Sequence, residues 1–362
     1  MKQIPYVLIL CFISCALAQR ESCKTPNGET AKCVSIYSCP KLYESGKSGR
    51  PDAYRFLQQS VCRKSYYNLY VCCGSDTTFK EQKPTAPTMA SRHNLIADKS
   101  ECGYMNADFK IYGGNRTGLG EFPWMALLEY KNLTSGERKF LCGGSLIGKR
   151  HIMTAAHCVT GKSLDGFRLV NIRLGEWNVS SSKDCVRIGR KMECSDPVMN
   201  VGFERLTPHV DFVDSVKNDI ALIRLDRDIK YSKFVSPICL PADEKQQPNT
   251  KMFVAGWGKT ERGTNSEVLL KVQVPIVNNE LCDWLLGKRI KVRDTQICAG
   301  GEKWKDSCRG DSGGPLMHRD VETDQWSAEG IVSLGKGCGS EGYPAVYTKV
   351  RSFNSWIRMH AF

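Results

Sequence analysis

The chain has 362 residues, a formal net charge of +13 and 41% hydrophobic residues. Such a length lets it bury a sizeable core and allows about two domains. Its basic residues are scattered rather than run together. The charge therefore reads as a solvated surface drawn to anionic polysaccharide, and nucleic acid is excluded as the partner.

The first segment, residues 1–18, opens with Lys2, continues as an apolar stretch from Tyr6 to Leu17 and ends in Ala16-Leu17-Ala18. That is the pattern of a secretory signal peptide with its small-residue cleavage site. The run falls short of the roughly 20 residues a membrane span needs, and no later segment is apolar enough, so a secreted, extracellular chain with no membrane span is expected. Cysteine usage agrees: of 18 cysteines, Cys11 and Cys15 leave with the leader, and an even number remains for pairing in an oxidising compartment. No CxxC pair recurs at zinc-finger spacing. Asn115, Asn132 and Asn178 begin Asn-X-Ser/Thr sequons that a secreted chain presents for glycosylation.

Residues 23–73 hold Cys23, Cys33, Cys39, Cys62, Cys72 and Cys73. So short a segment cannot build a large core and needs disulfides for stability; six cysteines allow about 15 pairings, and spacing alone does not choose among them. From Gly74 the chain turns polar, with Lys83-Pro84-Thr85-Ala86-Pro87-Thr88 at the centre of an extended linker that leads to Lys110. From Ile111 to Phe362 the pattern is mostly strands. Val268–Val277 is rich in β-branched residues and alternates in its middle, and Gly-rich turns such as Gly256-Trp257-Gly258 bound such runs. Only Phe353, Trp356, Ile357 and His360 fall at helical spacing, which predicts an all-β body with one terminal helix.

Three segments carry chemistry. Thr154-Ala155-Ala156-His157-Cys158 offers a base, Asn218-Asp219-Ile220-Ala221-Leu222 a carboxylate, and Gly310-Asp311-Ser312-Gly313-Gly314-Pro315 a hydroxyl nucleophile. Singly, each has an ordinary structural reading. Together, in the order His, Asp, Ser within one all-β body, they supply what peptide hydrolysis needs: a nucleophile, a base to activate it, and an acid to orient that base.

On these motifs, residues 111–362 resemble the chymotrypsin-like serine proteases, which implies a two-barrel fold. The resemblance makes Ser312 the nucleophile, His157 the general base and Asp219 its orienting partner, with the backbone N–H groups of Gly310 and Ser312 as the oxyanion hole. A Cβ at Gly310 would crowd the substrate. Asp306, six residues before Ser312, matches the acid of a trypsin-like pocket that selects Arg or Lys. Ser333-Leu334-Gly335 matches the edge that pairs with the substrate backbone, and Ala345 stands in the pocket wall where glycine is usual. Leu334 replaces a usual aromatic, Arg309 sits at the pocket rim, and Pro344 argues against a sodium site. Lys110-Ile111-Tyr112-Gly113-Gly114 matches the activation site: cleavage after Lys110 frees the Ile111 amine to pair with Asp311. No cofactor is required. Glu176 resembles the start of a calcium loop in some relatives, which implies a structural calcium ion.

The same resemblance implies the pairs Cys142–Cys158, Cys282–Cys298 and Cys308–Cys338, with Cys102–Cys239 tying the propeptide to the body. Cys185 and Cys194 are left to pair by elimination. The six N-terminal cysteines, ending in the adjacent Cys72-Cys73, resemble the clip domain of arthropod clip-domain serine proteases, whose pairing would be Cys23–Cys72, Cys33–Cys62 and Cys39–Cys73. The domains expected are therefore a signal peptide (1–18), a clip domain (23–73), a linker and activation segment (74–110) and a protease domain (111–362). Such relatives act in haemolymph zymogen cascades of immunity or development. The partners implied are an upstream activating protease, a serpin inhibitor and a protein substrate: prophenoloxidase, a Toll-ligand precursor or another protease zymogen. A non-catalytic clip-domain homologue that regulates another protease is the competing reading; such homologues usually lack a triad member, and His157, Asp219 and Ser312 are all present.

Overall fold

The computed structural model describes residues 22–47, 56–57, 59–64, 69–75, 96–105, 116–213, 217–242, 248–260, 263–287, 291–303, 310–335 and 340–361. The chain separates into an N-terminal unit and a larger C-terminal one. The N-terminal unit is an antiparallel sheet of β1 (Ser22–Lys24), β2 (Thr30–Ser35), β3 (Val61–Lys64) and β4 (Leu69–Cys73), in the order β1-β2-β4-β3, with helix α1 (Pro40–Lys47). Among the described residues its buried apolar side chains, disulfide cysteines aside, are few: Ile36, Leu42, Phe56, Leu57, Leu69 and Val71. Disulfides Cys23–Cys72, Cys33–Cys62 and Cys39–Cys73 staple it, as the clip resemblance implies. Each closes a loop of the unfolded chain, which is worth about 2–4 kcal/mol and offsets the small core.

The C-terminal unit holds two β-barrels. The first is built from β5 (Met125–Asn132), β6 (Arg138–Gly148), β7 (His151–Thr154), β8 (Phe167–Leu174), β11 (Met199–Val201), β12 (Phe203–Pro208) and β13 (Ala221–Leu225), in the order β11-β8-β5-β6-β7-β13-β12. A separate hairpin, β9 (Cys185–Ile188) and β10 (Lys191–Cys194), projects from the β8–β11 connection. The second barrel closes as β14 (Lys251–Gly256), β15 (Leu270–Val277), β16 (Gln296–Gly300), β19 (Pro344–Lys349), β18 (Trp326–Leu334) and β17 (Pro315–Arg319). This is the chymotrypsin-like architecture.

Strand β15 begins two residues later than the alternating run Val268–Val277 suggests. Val268 and Leu269 pair instead with the segment after β8: Val179 N–H donates to Glu267 O at 2.8 Å and Leu269 N–H to Trp177 O at 2.9 Å. Helix α2 (Asn279–Leu286) starts where the Asn278 side chain accepts from the backbone N–H groups of Glu280 and Leu281, satisfying donors the helix leaves unpaired. Helix α3 (Asn354–His360) buries Trp356, Ile357 and His360 at the expected spacing, while Phe353 lies in the 3-10 turn before it.

Between the barrels, the Trp326 ring of β18 meets Phe122 at 5.3 Å, Phe253 of β14 at 5.2 Å and Trp124 at 6.2 Å. These large rings bury much apolar area and fix how the two barrels meet. Helix α3 braces the loop that leads to Asp219: the His209 ring lies 5.1 Å from Trp356 and 5.4 Å from Phe353. Burial pushes the His209 pKa down to about 4, so a neutral imidazole packs there.

Candidate active site

His157 sits in a 3-10 turn (Ala156–Cys158) directly after β7, and Cys158 of that turn is disulfide-bonded to Cys142 on β6. The imidazole Nδ1 is 2.7 Å from Asp219 Oδ2, and the His157 backbone N–H donates to Asp219 Oδ1 at 2.9 Å. A carboxylate only accepts, so the ring proton is on Nδ1 and the lone pair on Nε2.

Asp219 is 1% exposed. Burial alone would push its pKa up; the hydrogen bonds from His157 and Ser333, with the attraction of the imidazole once it is protonated, outweigh that and hold it below the usual carboxylate range. The residue before it, Asn218, has φ +54°, a left-handed backbone uncommon for a non-glycine residue. Its amide donates to Asp211 O at 3.1 Å, an anchor that keeps the turn in place. The second barrel holds Asp219 twice. Ser333 Oγ of β18 donates to Oδ2 at 2.5 Å, and Thr348 Oγ1 of β19 donates to the backbone oxygen at 2.8 Å.

Ser312 lies in the loop that precedes β17. Gly143 N–H of β6 donates to Ser312 O at 2.8 Å, next in sequence to the Cys142 that bonds Cys158. One hydrogen bond and one disulfide thus hold the serine loop against the histidine turn. Gly313 N–H donates to Val332 O and Val332 N–H to Gly314 O, both at 2.9 Å, so β18 grips the loop from the other side. Gly313 has φ +80°, and a Cβ there would meet Gly143 O at 2.6 Å.

The backbone gives Gly310 a reason of its own to be glycine. Its φ is +107°, and an added Cβ would lie 3.0 Å from Gly258 Cα. Asp311 Oδ1 accepts from Gly258 N–H at 2.8 Å, and a Cβ on Gly256 or Gly258 would collide with that carboxylate. The two glycines of Gly256-Trp257-Gly258 therefore form the cradle in which Asp311 rests. Cys142, His157 and Cys158 also crowd together. Both sulfurs are spent in the disulfide, so this cluster offers no thiolate to a metal.

The chain's likeness to known proteins accords with this geometry. Residues 111–357 match the family model described as Trypsin, and residues 23–73 match that described as Regulatory CLIP domain of proteinases. Phenoloxidase-activating factor 1 of Holotrichia diomphalia is 41% identical over 365 residues, covering 99% of this chain and 98% of that protein. The chain belongs to the clip-domain serine proteases. Serine protease ea of Drosophila melanogaster is 38% identical, over 93% of this chain and 90% of its own. The crystal structure of the Drosophila Grass clip serine protease of the Toll pathway superposes with a TM-score of 0.65 at 36% identity, covering 94% of this chain and 96% of that one.

In this clip-domain protease, disulfides also join Cys102–Cys239, Cys185–Cys194 and Cys282–Cys298. Lys110, Ile111, Asn115, Asp306, Arg309, Cys308 and Cys338 lie outside the described residues, as do residues 1–18, where a signal peptide is expected, and most of residues 74–110, the expected linker and activation segment. Gly335 follows the end of β18, and Ala345 is buried on β19 among Ala299, Val332 and Tyr347. Asn132 ends β5 and Asn178 bridges to Val268, both half-buried, and their side-chain oxygens accept from the backbone N–H groups of the turns that follow: Thr134 and Ser135 for Asn132, Ser180 for Asn178.

Glu176 does not offer itself to calcium. It is buried, and burial raises its pKa. Its Oε1 accepts from Trp177 N–H at 3.0 Å and its Oε2 from Arg173 Nη1 at 3.2 Å. Asp184, the other buried acid of this loop, accepts from Ser181 Oγ and from Asn178 N–H. Calcium needs roughly 6–8 free oxygens, and here the Arg173 guanidinium occupies the cation's role. The residues do not fit the ion.

Sequence reasoning assigned Ser333 to substrate pairing and missed its hydroxyl bond to Asp219; it also missed Thr348 and Gly143. Only Gly143 carried a local signal, the Gly143-Gly144 pair beside Cys142.

Proposed function

We propose that this clip-domain protease is a secreted zymogen which, once cut after Lys110, hydrolyses protein substrates after Arg or Lys. The observation that carries this is the clamp of Asp219 on His157 through both Nδ1 and the backbone N–H, beside a serine loop pinned to the same strands. With Nδ1 protonated, His157 Nε2 takes the proton from Ser312 Oγ as that oxygen attacks the scissile carbonyl. The buried Asp219 carboxylate stabilises the imidazolium, and the backbone N–H groups of Gly310 and Ser312 receive the oxyanion. The imidazolium then gives its proton to the leaving amine, and water, activated by the same base, hydrolyses the acyl-enzyme.

By the trypsin-like register Asp306 sets the preference for a basic side chain, because an acid at the pocket's base is the partner of an arriving cation. The new Ile111 ammonium pairs with Asp311, next in sequence to Ser312, and so orders the backbone of the oxyanion hole; in the uncut precursor that hole is poorly formed. Similarity to a phenoloxidase-activating factor and to a Toll-pathway clip protease supports an extracellular haemolymph cascade. Its substrate is then prophenoloxidase, a Toll-ligand precursor or another zymogen, and a serpin is its inhibitor. A non-catalytic regulator is disfavoured by the intact His157, Asp219 and Ser312.

The test is the activated enzyme and its Ser312→Ala variant, assayed on arginyl amides and on each purified candidate substrate, with the new N-termini sequenced. The variant should fold, be secreted and lose hydrolysis. Amidase activity retained well above solvent hydrolysis would refute the role given to Ser312.

A further inference from the structure

The β9–β10 hairpin is a built, outward-facing element that the catalytic mechanism does not use. Cys185–Cys194 bridges its base, and Val186 packs against the main hydrophobic core of the C-terminal unit. Its tip is a two-residue turn, Gly189-Arg190, with Gly189 at φ +60°, the positive φ that a tight hairpin needs at its first central position. The hairpin is thus rigid without help from a partner.

Its surface combines cations with large apolar side chains. Lys183, Arg187, Arg190 and Lys191 are exposed, and none has an acidic partner among the described residues. The one acid on the strands, Glu193, already faces Lys233 at 3.9 Å, which adds another cation nearby. Met192 is 58% exposed and Ile188 42%. The register sets Arg187 opposite Met192 and Lys191 opposite Ile188, so each apolar side chain stands beside a cation.

We infer that this hairpin is a docking surface for an acidic, apolar-studded segment of the enzyme's protein substrate. Unpaired like charges on a rigid finger attract the opposite charge, steering encounter and setting register. Two exposed apolar side chains beside those charges need apolar counterparts to leave water, which a protein segment supplies and a polyanionic sugar does not. Because the disulfide and the turn already order the hairpin, docking spends little conformational entropy on it.

The inference rests on the proteolytic reading for its substrate, and the test separates the two. Two fusion proteins share one cleavable arginine site; one also carries a repeat of Glu-Leu-Glu-Phe, the other the repeat with Gln for Glu. The activated enzyme and an Arg187→Glu/Arg190→Glu/Lys191→Glu variant are assayed on both and on an arginyl amide. Reversing several exposed charges should remove the wild-type preference for the Glu repeat, about ten-fold in kcat/KM, while the amide rate stays unchanged. Added salt should erode the same preference. Binding of the fluorescent Glu repeat, followed by anisotropy, should be lost in parallel, including in the Ser312→Ala protein. No preference by the wild type, or a preference kept by the variant, overturns the docking surface. So does a variant that loses binding only to dextran sulfate, since the surface is then a polyanion site. A wild type that binds the repeat but cleaves nothing defeats the proteolytic reading instead.

Discussion

Replacing Ser333 by Ala removes one hydrogen-bond donor from a carboxylate that is 1% exposed. Asp219 keeps the two bonds from His157, at 2.7 and 2.9 Å, and its burial keeps bulk solvent from replacing the third. A hydrogen bond to a buried charge is worth about 1.5–3 kcal/mol, and that is the expected loss of stability near neutral pH. For a body of this size the melting temperature should fall by about 3–12 °C. The pH dependence has a definite sign. Asp219 lies below its ordinary pKa when folded, so its ionisation contributes stability that is complete above the unfolded value and is lost as pH falls through the folded one. Without Ser333 Oγ the folded pKa rises, and acid unfolding of the variant should begin at higher pH. Circular dichroism melts from neutral to acid pH, beside kcat and KM on an arginyl amide, measure both effects. Melting temperature and acid midpoint equal to wild type would refute the claim that this hydroxyl holds the carboxylate.

Gly256→Ala drives a methyl group into the Asp311 carboxylate next to Ser312, so kcat should fall by about 10²-fold with the fold retained; unchanged kcat would remove Asp311 from its cradle. Lys110→Gln should be secreted, uncut and nearly inactive. The cut wild type should run as one band without reductant and two with it, because Cys102–Cys239 joins its chains; separation without reductant would refute the bridge. Chelation with EDTA should leave the melting temperature unchanged, since Arg173 and backbone N–H groups already hold Glu176 and Asp184; a drop reversed by calcium would contradict that account.

Much of the site was legible because its chemistry is local. The segments around His157, Asp219 and Ser312 each carry their side chain on a short, recognisable stretch, and their chain order was enough to propose the constellation. Gly310 was also legible as a required glycine, but one reason for it was not: only the folded chain brings Gly258 Cα against it. The alternation of Val268–Val277 announced β15, but its first two residues pair with the segment after β8, a choice made by the first barrel. Ser333 and Thr348 are ordinary strand residues in sequence, more than a hundred positions from Asp219, and become its partners only when the Trp326 cluster sets one barrel against the other. Glu176 resembled a calcium ligand because sequence shows a carboxylate and not its neighbours; β8 brings Arg173 beside it, and a guanidinium there satisfies the charge a metal would otherwise neutralise. Side-chain identity and short-range spacing thus came from the sequence alone. Hydrogen-bond partners of buried charges came from tertiary packing, because a desolvated carboxylate takes whichever donors the fold brings within reach.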